Sequence, residues 1–275
     1  MKKYFKFLVI AFSIFFVACE NNANNKTQAE STDSTSNLEV IKIGATPNPH
    51  ARILENIKDD LRSDGIDLEI IEFSDYVLPN LSLNDGSIDA NFHQHQPYLD
   101  KMVEDKKLKI ESIAKVHIEP LGFYSKKYKS IDSIKNGATI AIPNDPSNGG
   151  RALILLHNNG IIKLKDSNNL YATELDIVEN PKNIKIKQIE AAMLPKVFGD
   201  VDGAVINGNY ALQAGLSAKD AIFLEDSRSP YANILVVRSS DINNPKILKL
   251  KERLLSPKTK QFIDEQYKGE IVSAF

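Results

Sequence analysis

The chain holds a single cysteine, Cys19, at the end of an apolar N-terminal run, so whatever folds beyond it must be held by burial alone. No disulfide can close within residues 20–275, and neither a zinc-finger spacing nor a thiol nucleophile exists there. At 275 residues the chain is long enough to bury a core without such staples, and long enough for two lobes. Its charge is balanced, with 34 basic and 36 acidic residues and a net charge of -2. No basic stripe is interleaved with aromatics, so nucleic acid is not an expected partner.

The N-terminus reads as an address. Lys2, Lys3 and Lys6 precede the apolar stretch Phe7 to Ala18. That stretch is shorter than the roughly 20 residues a spanning helix needs, and suits a secretory signal. Small Ala18 directly before Cys19 resembles the cleavage site of a bacterial lipoprotein, which would make 1–18 a signal peptide and Cys19 the lipidated first residue. Phe16 stands where leucine is usual, and the other reading is a plain signal with an unrelated cysteine. Residues 20–37, ENNANNKTQAESTDSTSN, lack large apolar side chains almost entirely. They cannot offset their ordering entropy, and 19–37 reads as a flexible tether.

From Leu38 the pattern is that of alternating strands and helices. Val40 to Gly44 is strand-like, and Ile53, Ile57 and Leu61 share one helical face after Pro49 until Gly65. Strands follow at 68–73 and 88–92, and helices at 78–83 and 97–106. A second set brings strands at 138–142, 184–189 and 203–206, and helices at 151–157, 191–198 and 210–214. One C-terminal helix is expected over 248–263. Such alternation predicts parallel sheets. Two runs joined near 117–126 and 229–238 predict two α/β lobes, 38–125 plus 229–275 and 126–228, with a ligand cleft between them.

Three segments carry chemistry. Ser147 reads as an N-cap, which puts Arg151 in the first turn of its helix, where a cation opposes the helix dipole by roughly 0.3–1 kcal/mol. With accessible N–H groups at Gly149 and Gly150, Arg151 would form a carboxylate trap. The alternative is a surface arginine paired with Asp145. In Asn91–Tyr98, an extended run places His93 and His95 on one face. Imidazoles suit zinc, but no third ligand stands at a diagnostic spacing, so a polar and aromatic pocket wall is preferred, with a satisfied core histidine the remaining reading. Asn207 ends an apolar strand, where α/β sheets bind ligands, and its side-chain oxygen can accept from an ammonium; otherwise Asn207-Gly208 is only a turn.

Six stretches taken together resemble a known family: KIGATPNPHARILE (42–55), FSDYVLPNLSLNDGSIDANFHQHQPYLD (73–100), HIEPLGFYSKKYKS (117–130), IAIPNDPSNGGRALILL (140–156), DVDGAVINGNYALQAGL (200–216) and SPYANILVVR (229–238). The body is similar to the methionine-binding lipoproteins of bacterial ABC importers, the MetQ/NlpA type. The resemblance implies a two-lobed periplasmic-binding-protein fold, each lobe a mostly parallel sheet flanked by helices, with two hinge crossings. It implies capture of L-methionine or a related amino acid and delivery to a permease with its cytoplasmic ATPase. A monomer anchored by lipid to a bacterial membrane, facing the periplasm or exterior, with no cofactor and no catalysis, is the expectation. By resemblance, Arg151 binds the ligand carboxylate and Asn207 the amino group. Tyr76, His95 and Tyr98 line the pocket, and Asn148 and Asn233 add polar contacts.

One pocket position departs from the family, which usually has Phe where this chain has His93. Burying an unpartnered imidazole costs roughly 1–3 kcal/mol. Either His93 bonds a neighbour or the ligand is more polar than methionine: another amino acid, or a short peptide. A zinc-binding protein using His93, His95 and His117 is the rival from another class. A secreted hydrolase has no G-x-S-x-G elbow to support it, and an adhesin role is compatible with a surface lipoprotein.

Overall fold

Alternating apolar runs become a three-layered arrangement twice over. A computed structural model describes residues 38–275 apart from 227 and 228. The expected signal, Cys19 and tether lie outside the described residues. In chain order the first part is β1 (Glu39–Ala45), α1 (Arg52–Ser63), β2 (Ile66–Glu72), α2 (Leu78–Asp85), β3 (Ala90–His95), α3 (Gln96–Lys106) and β4 (Ile110–Ile118). The chain then crosses to a second sheet. There it forms β5 (Gly122–Tyr124), β6 (Thr139–Pro143), α4 (Pro146–Asn158), β7 (Lys163–Leu164), β8 (Ile177–Glu179), β9 (Lys185–Ile189), α5 (Leu194–Val197), β10 (Gly203–Ile206), α6 (Gly208–Gln213) and β11 (Ala221–Leu224). It returns through β12 (Ala232–Arg238), α7 (Pro245–Leu254), α8 (Pro257–Tyr267) and β13 (Val272–Ser273).

The first sheet has the order β13-β4-β12-β3-β1-β2 and the second β11-β5-β10-β6-β9. Both are mixed. The β2-β1-β3 and β9-β6-β10 portions are parallel, as the alternation predicts. Antiparallel strands fill the rest: β12 lies between β3 and β4, and β5 between β10 and β11. These are the strands that carry the chain between lobes, and 232–238, expected to be a connection, is a central strand. The crossings therefore include 119–121 and, of the described residues, 225–226 and 229–231. The first lies a few residues before the expected boundary at 125, because Gly122–Tyr124 pairs with the second sheet.

Period-two patterning explains why both faces of each sheet are covered. On β12, Leu235 and Val237 pack with Ile53, Ile57, Leu250 and Ile263 of α1, α7 and α8. Ile234 and Val236 face Leu83, Leu99 and Met102 of α2 and α3. In the second lobe Ile140, Ile142 and Val205 pack with Leu153 and Leu156 of α4, while Ala141, Ala204 and Ile206 face Leu194 and Tyr210. The single C-terminal helix expected over 248–263 is two helices. Pro257 cannot donate to a continuing helix, and Ser256 caps the new one by accepting from Thr259 N at 3.3 Å. Among the described residues no helix is long and apolar enough to cross a membrane.

Candidate functional site

The carboxyl ends of β3 and β10 face one another across the cleft, and the side chains that follow them line a cavity there. On β3, Phe92 turns into the core of the first lobe. His93 and His95 take the opposite face and line the cavity. Tyr98 follows at the start of α3, and Tyr76 lies ahead of α2. All eight residues singled out in the sequence line this one cavity: Tyr76, His93, His95, Tyr98, Asn148, Arg151, Asn207 and Asn233. Gln94, Glu119, Gly208 and Asn209 join them.

Arg151 is held differently from either reading of its turn. The N-cap is Asp145, not Ser147, since the Asp145 carboxylate accepts from Asn148 N at 2.9 Å. The helix thus begins at Pro146, and Arg151 lies in its second turn. Gly149 N is already bonded to Asp145 O at 2.8 Å, so no free N–H cradle exists at that glycine pair. Gly150 has a packing role instead. A Cβ there would run into the backbone of Leu170 and Ala172.

Arg151 is 4% exposed, and its partner is Glu225 rather than Asp145. Nε donates to both Glu225 carboxylate oxygens at 3.0 and 3.2 Å, Nη2 donates to Glu225 Oε2, and Nη2 also donates to Glu119 O at 2.9 Å. The Tyr231 ring covers the guanidinium, 4.3 Å from its carbon to the centroid. Glu119 belongs to one crossing, and Glu225 and Tyr231 to the other. Burial disfavours the guanidinium charge, but Glu225 outweighs it and the pKa is raised. Among the described residues nothing accepts from Nη1, which is left for the cavity.

A chain of amides sets the remaining polar atoms. Asn148 Nδ2 donates to both Asp145 oxygens at 3.0 Å, so its Oδ1 must be the acceptor on the other side. That oxygen takes Asn207 Nδ2 at 2.7 Å and His95 Nε2 at 3.1 Å. His95 Nδ1 accepts from Tyr98 N at 3.3 Å, which makes Nε2 the protonated nitrogen. Asn207 Oδ1 is thereby turned away, buried and without a partner among the described residues. On the first-lobe side His93 Nε2 lies 3.2 Å from Tyr76 O and must donate, leaving Nδ1 as a buried, unpartnered acceptor. Burial lowers the pKa of both His93 and His95 to about 3, so both rings are neutral.

The two lobes meet through these side chains. Tyr76 Oη donates to Asn209 Oδ1 at 2.5 Å, Tyr210 Oη to Ser74 O at 3.1 Å, and Tyr171 Oη to Pro97 O at 3.1 Å. Burial pushes the Tyr76 hydroxyl well above its ordinary range, so it is a donor at any working pH. His117, the third member of the zinc rival, is not in the cavity. It pairs with Glu119 behind the wall, at 2.7 Å. His93 and His95 are each tied to a different oxygen. The zinc set His93, His95 and His117 is therefore not assembled here.

Sequence reasoning missed Glu119, Asn209, Glu225 and Tyr231. Asn209 stood in the Asn207–Tyr210 segment. The others come from the crossings, where an isolated acid or tyrosine in a connecting stretch carries no periodic signal.

Comparison with known proteins converges with the geometry. Residues 41–275 match the family described as NlpA lipoprotein. The D-methionine-binding lipoprotein MetQ of Salmonella typhi is 42% identical over 239 residues, spanning 86% of this chain and 88% of its own. The membrane lipoprotein TpN32 of Treponema pallidum is 38% identical over 262 residues, spanning 95% and 92%. A nutrient-binding protein of Burkholderia cenocepacia, solved bound to methionine, superimposes with a TM-score of 0.83 at 47% identity, covering 86% of this chain and all of that one.

Proposed function

The chain belongs to the NlpA lipoprotein family, whose members are substrate-binding proteins, and from that premise we propose that it captures a small amino acid, methionine first, outside the cytoplasm. It would pass its ligand to an ABC permease driven by a cytoplasmic ATPase. It would act as a monomer of two lobes, tethered to the membrane through lipid on Cys19.

The observation that carries this reading is the pairing of opposite requirements at one end of the cavity. Arg151 Nη1 is a fixed cationic donor, and Asn207 Oδ1 is a buried acceptor lacking a partner. A carboxylate meets the first and an α-ammonium the second. Asn148 holds Asn207 in place, and Asn233 is a further polar contact. At the other end Tyr76, His93 and Tyr98 present ring faces and edges, with Tyr76 and Tyr98 centroids 5.9 Å apart. A thioether suits such a wall through sulfur–aromatic contact. The unpartnered His93 Nδ1 supports a second reading, a related amino acid whose side chain ends in an N–H or O–H donor.

The test is calorimetric titration of ligand-stripped protein with L-methionine, D-methionine and a panel of polar amino acids, with mass spectrometry of whatever co-purifies. Saturable one-to-one binding of methionine supports the first reading. Tighter binding of a donor-bearing side chain selects the second. If no free amino acid binds, both are wrong.

A further inference from the structure

Behind the first-lobe wall of the cleft, three side chains able to ligate a metal converge out of water. His50 precedes α1, His117 is the last residue but one of β4 and Glu119 opens the first crossing; they are 1%, 0% and 5% exposed. One ligand atom from each lies within 4.8 Å of the other two. Glu119 Oε1 is 3.2 Å from His50 Nε2 and 2.7 Å from His117 Nε2, and Asn233 Oδ1 is 3.0 Å from His50 Nε2. Zinc bonds of about 2.0–2.1 Å at tetrahedral angles hold neighbouring ligand atoms ~3.3 Å apart. The two His50 edges already have that length to within a few tenths of an ångström, the His117–Glu119 edge opens by about 0.6 Å on binding, and the two imidazoles, whose ligand atoms lie within 4.8 Å, are drawn to the same spacing by the ion.

Charge points the same way. The Glu119 carboxylate is buried, and the side chains within reach of its Oε1 are the His50 and His117 imidazoles. The nearest guanidinium, Arg151, directs its hydrogen bonds to the Glu119 carbonyl and the Glu225 carboxylate. Buried carboxylates are ordinarily paired with a cation or bound to a metal. His50 is also oriented as ligand imidazoles are. Its Nδ1 lies 2.7 Å from Thr46 Oγ1, itself fully buried, which can accept an Nδ1 proton and so free Nε2 for an ion. Among the described residues His117 Nδ1 has no partner, and it can take the proton displaced from its own Nε2.

We infer that His50, His117 and Glu119, with Asn233 Oδ1 as fourth ligand, form a buried site for a divalent ion of the zinc type at the crossing between the lobes. Binding shifts each imidazole proton from Nε2 to Nδ1, so neither ring changes charge, and the ion neutralises the Glu119 carboxylate. Glu119 and Asn233 also line the cleft, which gives the ion its way in.

The test uses the full chain, stripped with a chelator and titrated with zinc chloride by calorimetry and with cobalt chloride by absorption. One ion per chain and the intense visible bands of four-coordinate cobalt are expected. His117→Gln should weaken binding by more than about 100-fold and Thr46→Val by roughly 10–100-fold. Circular dichroism confirms that each variant folds, and Thr46→Val serves if His117→Gln does not. The absence of stoichiometric zinc binding, an octahedral cobalt spectrum, or affinity unchanged in Thr46→Val overturns the site. Methionine titration of the same preparation reports separately on the cleft, so the two assignments fail independently.

Discussion

The two walls of the cleft are built on opposite principles. On the second-lobe wall nearly every polar atom is oriented by another: Asp145 orients Asn148, Asn148 orients Asn207, and Glu225, Glu119 O and Tyr231 fix Arg151. What remains to face the cavity is one cationic donor and one acceptor. The first-lobe wall is a group of rings, Tyr76, His93 and Tyr98, with centroids 5.9–6.4 Å apart. Its polar ends are few, and His93 Nδ1 is free. On the proposed function, the second lobe would preset recognition of what all amino acids share, and the first lobe would decide which side chain is accepted.

The sharpest way to break this comparison is at Arg151. Arg151→Ala removes the charge-assisted contact to the ligand, worth about 1.5–3 kcal/mol, and leaves the Glu225 carboxylate unpaired in a mostly buried position. Methionine affinity measured by calorimetry should fall by more than about 100-fold. Arg151→Lys should not restore it, because an ammonium cannot serve Glu225, the Glu119 carbonyl and the ligand from one fork. Near-native affinity in either variant would remove the second lobe from carboxylate recognition.

The walls also differ in response to acid. Arg151 keeps its charge throughout, while burial lowers His93 and His95 to about 3 from an ordinary value of 6.5. The unfolded chain therefore binds protons below pH 6.5 that the folded chain refuses, and stability falls as pH drops from 6.5 toward 3. Each such histidine contributes up to about 1.4 kcal/mol per pH unit in that window. His50 and His117, lowered to about 3 by the same cause, act in the same direction. Glu119 and Asp145, both raised by burial, act against it at the lower end. Thermal melts should show a steep loss between pH 6.5 and 4.5, shallower in His93→Phe. A flat profile would mean that the rings are solvated.

How much of this was legible without coordinates follows from the same physics. The β1-α1-β2 and β6-α4 units announce themselves through Ile53, Ile57 and Leu61 at helical spacing and through unbroken apolar strands, because both are local patterns. The antiparallel strands β4, β5, β11 and β12 are set by pairing across 80 residues or more of chain, as Val205 beside Phe123 and Leu235 beside Ala114 and Phe92 illustrate. Nothing local marks them as members of either sheet. At the site, Arg151, His93, His95 and Asn207 were visible as anomalies within elements, and the resemblance drew Tyr76, Tyr98, Asn148 and Asn233 into the pocket. The partners that give them direction were not. Glu225 meets Arg151 from 74 residues away, and Glu119 from 32.

A finer test of the first-lobe wall is His93→Phe. The imidazole contributes one bond to Tyr76 O and one unpartnered lone pair, whose burial costs roughly 1–3 kcal/mol if the ligand offers no donor. With methionine as ligand, the phenyl ring should raise affinity by about tenfold. With a donor-bearing side chain the same change should lower it by a similar factor. The sign of the effect thus reads out the chemistry of the natural side chain, while Arg151→Ala cannot.

The smallest expected effect isolates the contact between the walls. Tyr76 Oη to Asn209 Oδ1, 2.5 Å, joins the lobes, and neither group belongs to the Arg151 and Asn207 end of the cleft. Tyr76→Phe keeps the ring and removes the bond, a loss of about 0.5–1.5 kcal/mol, or two- to tenfold. A cleft that closes over its ligand would form this bond last, and the change should then appear in the dissociation rate, with the association rate unaltered. Stopped-flow measurement of both rates separates the two. A slower association would show that the Tyr76 hydroxyl meets the ligand in the open cleft, and that recognition of the side chain begins before the second wall arrives.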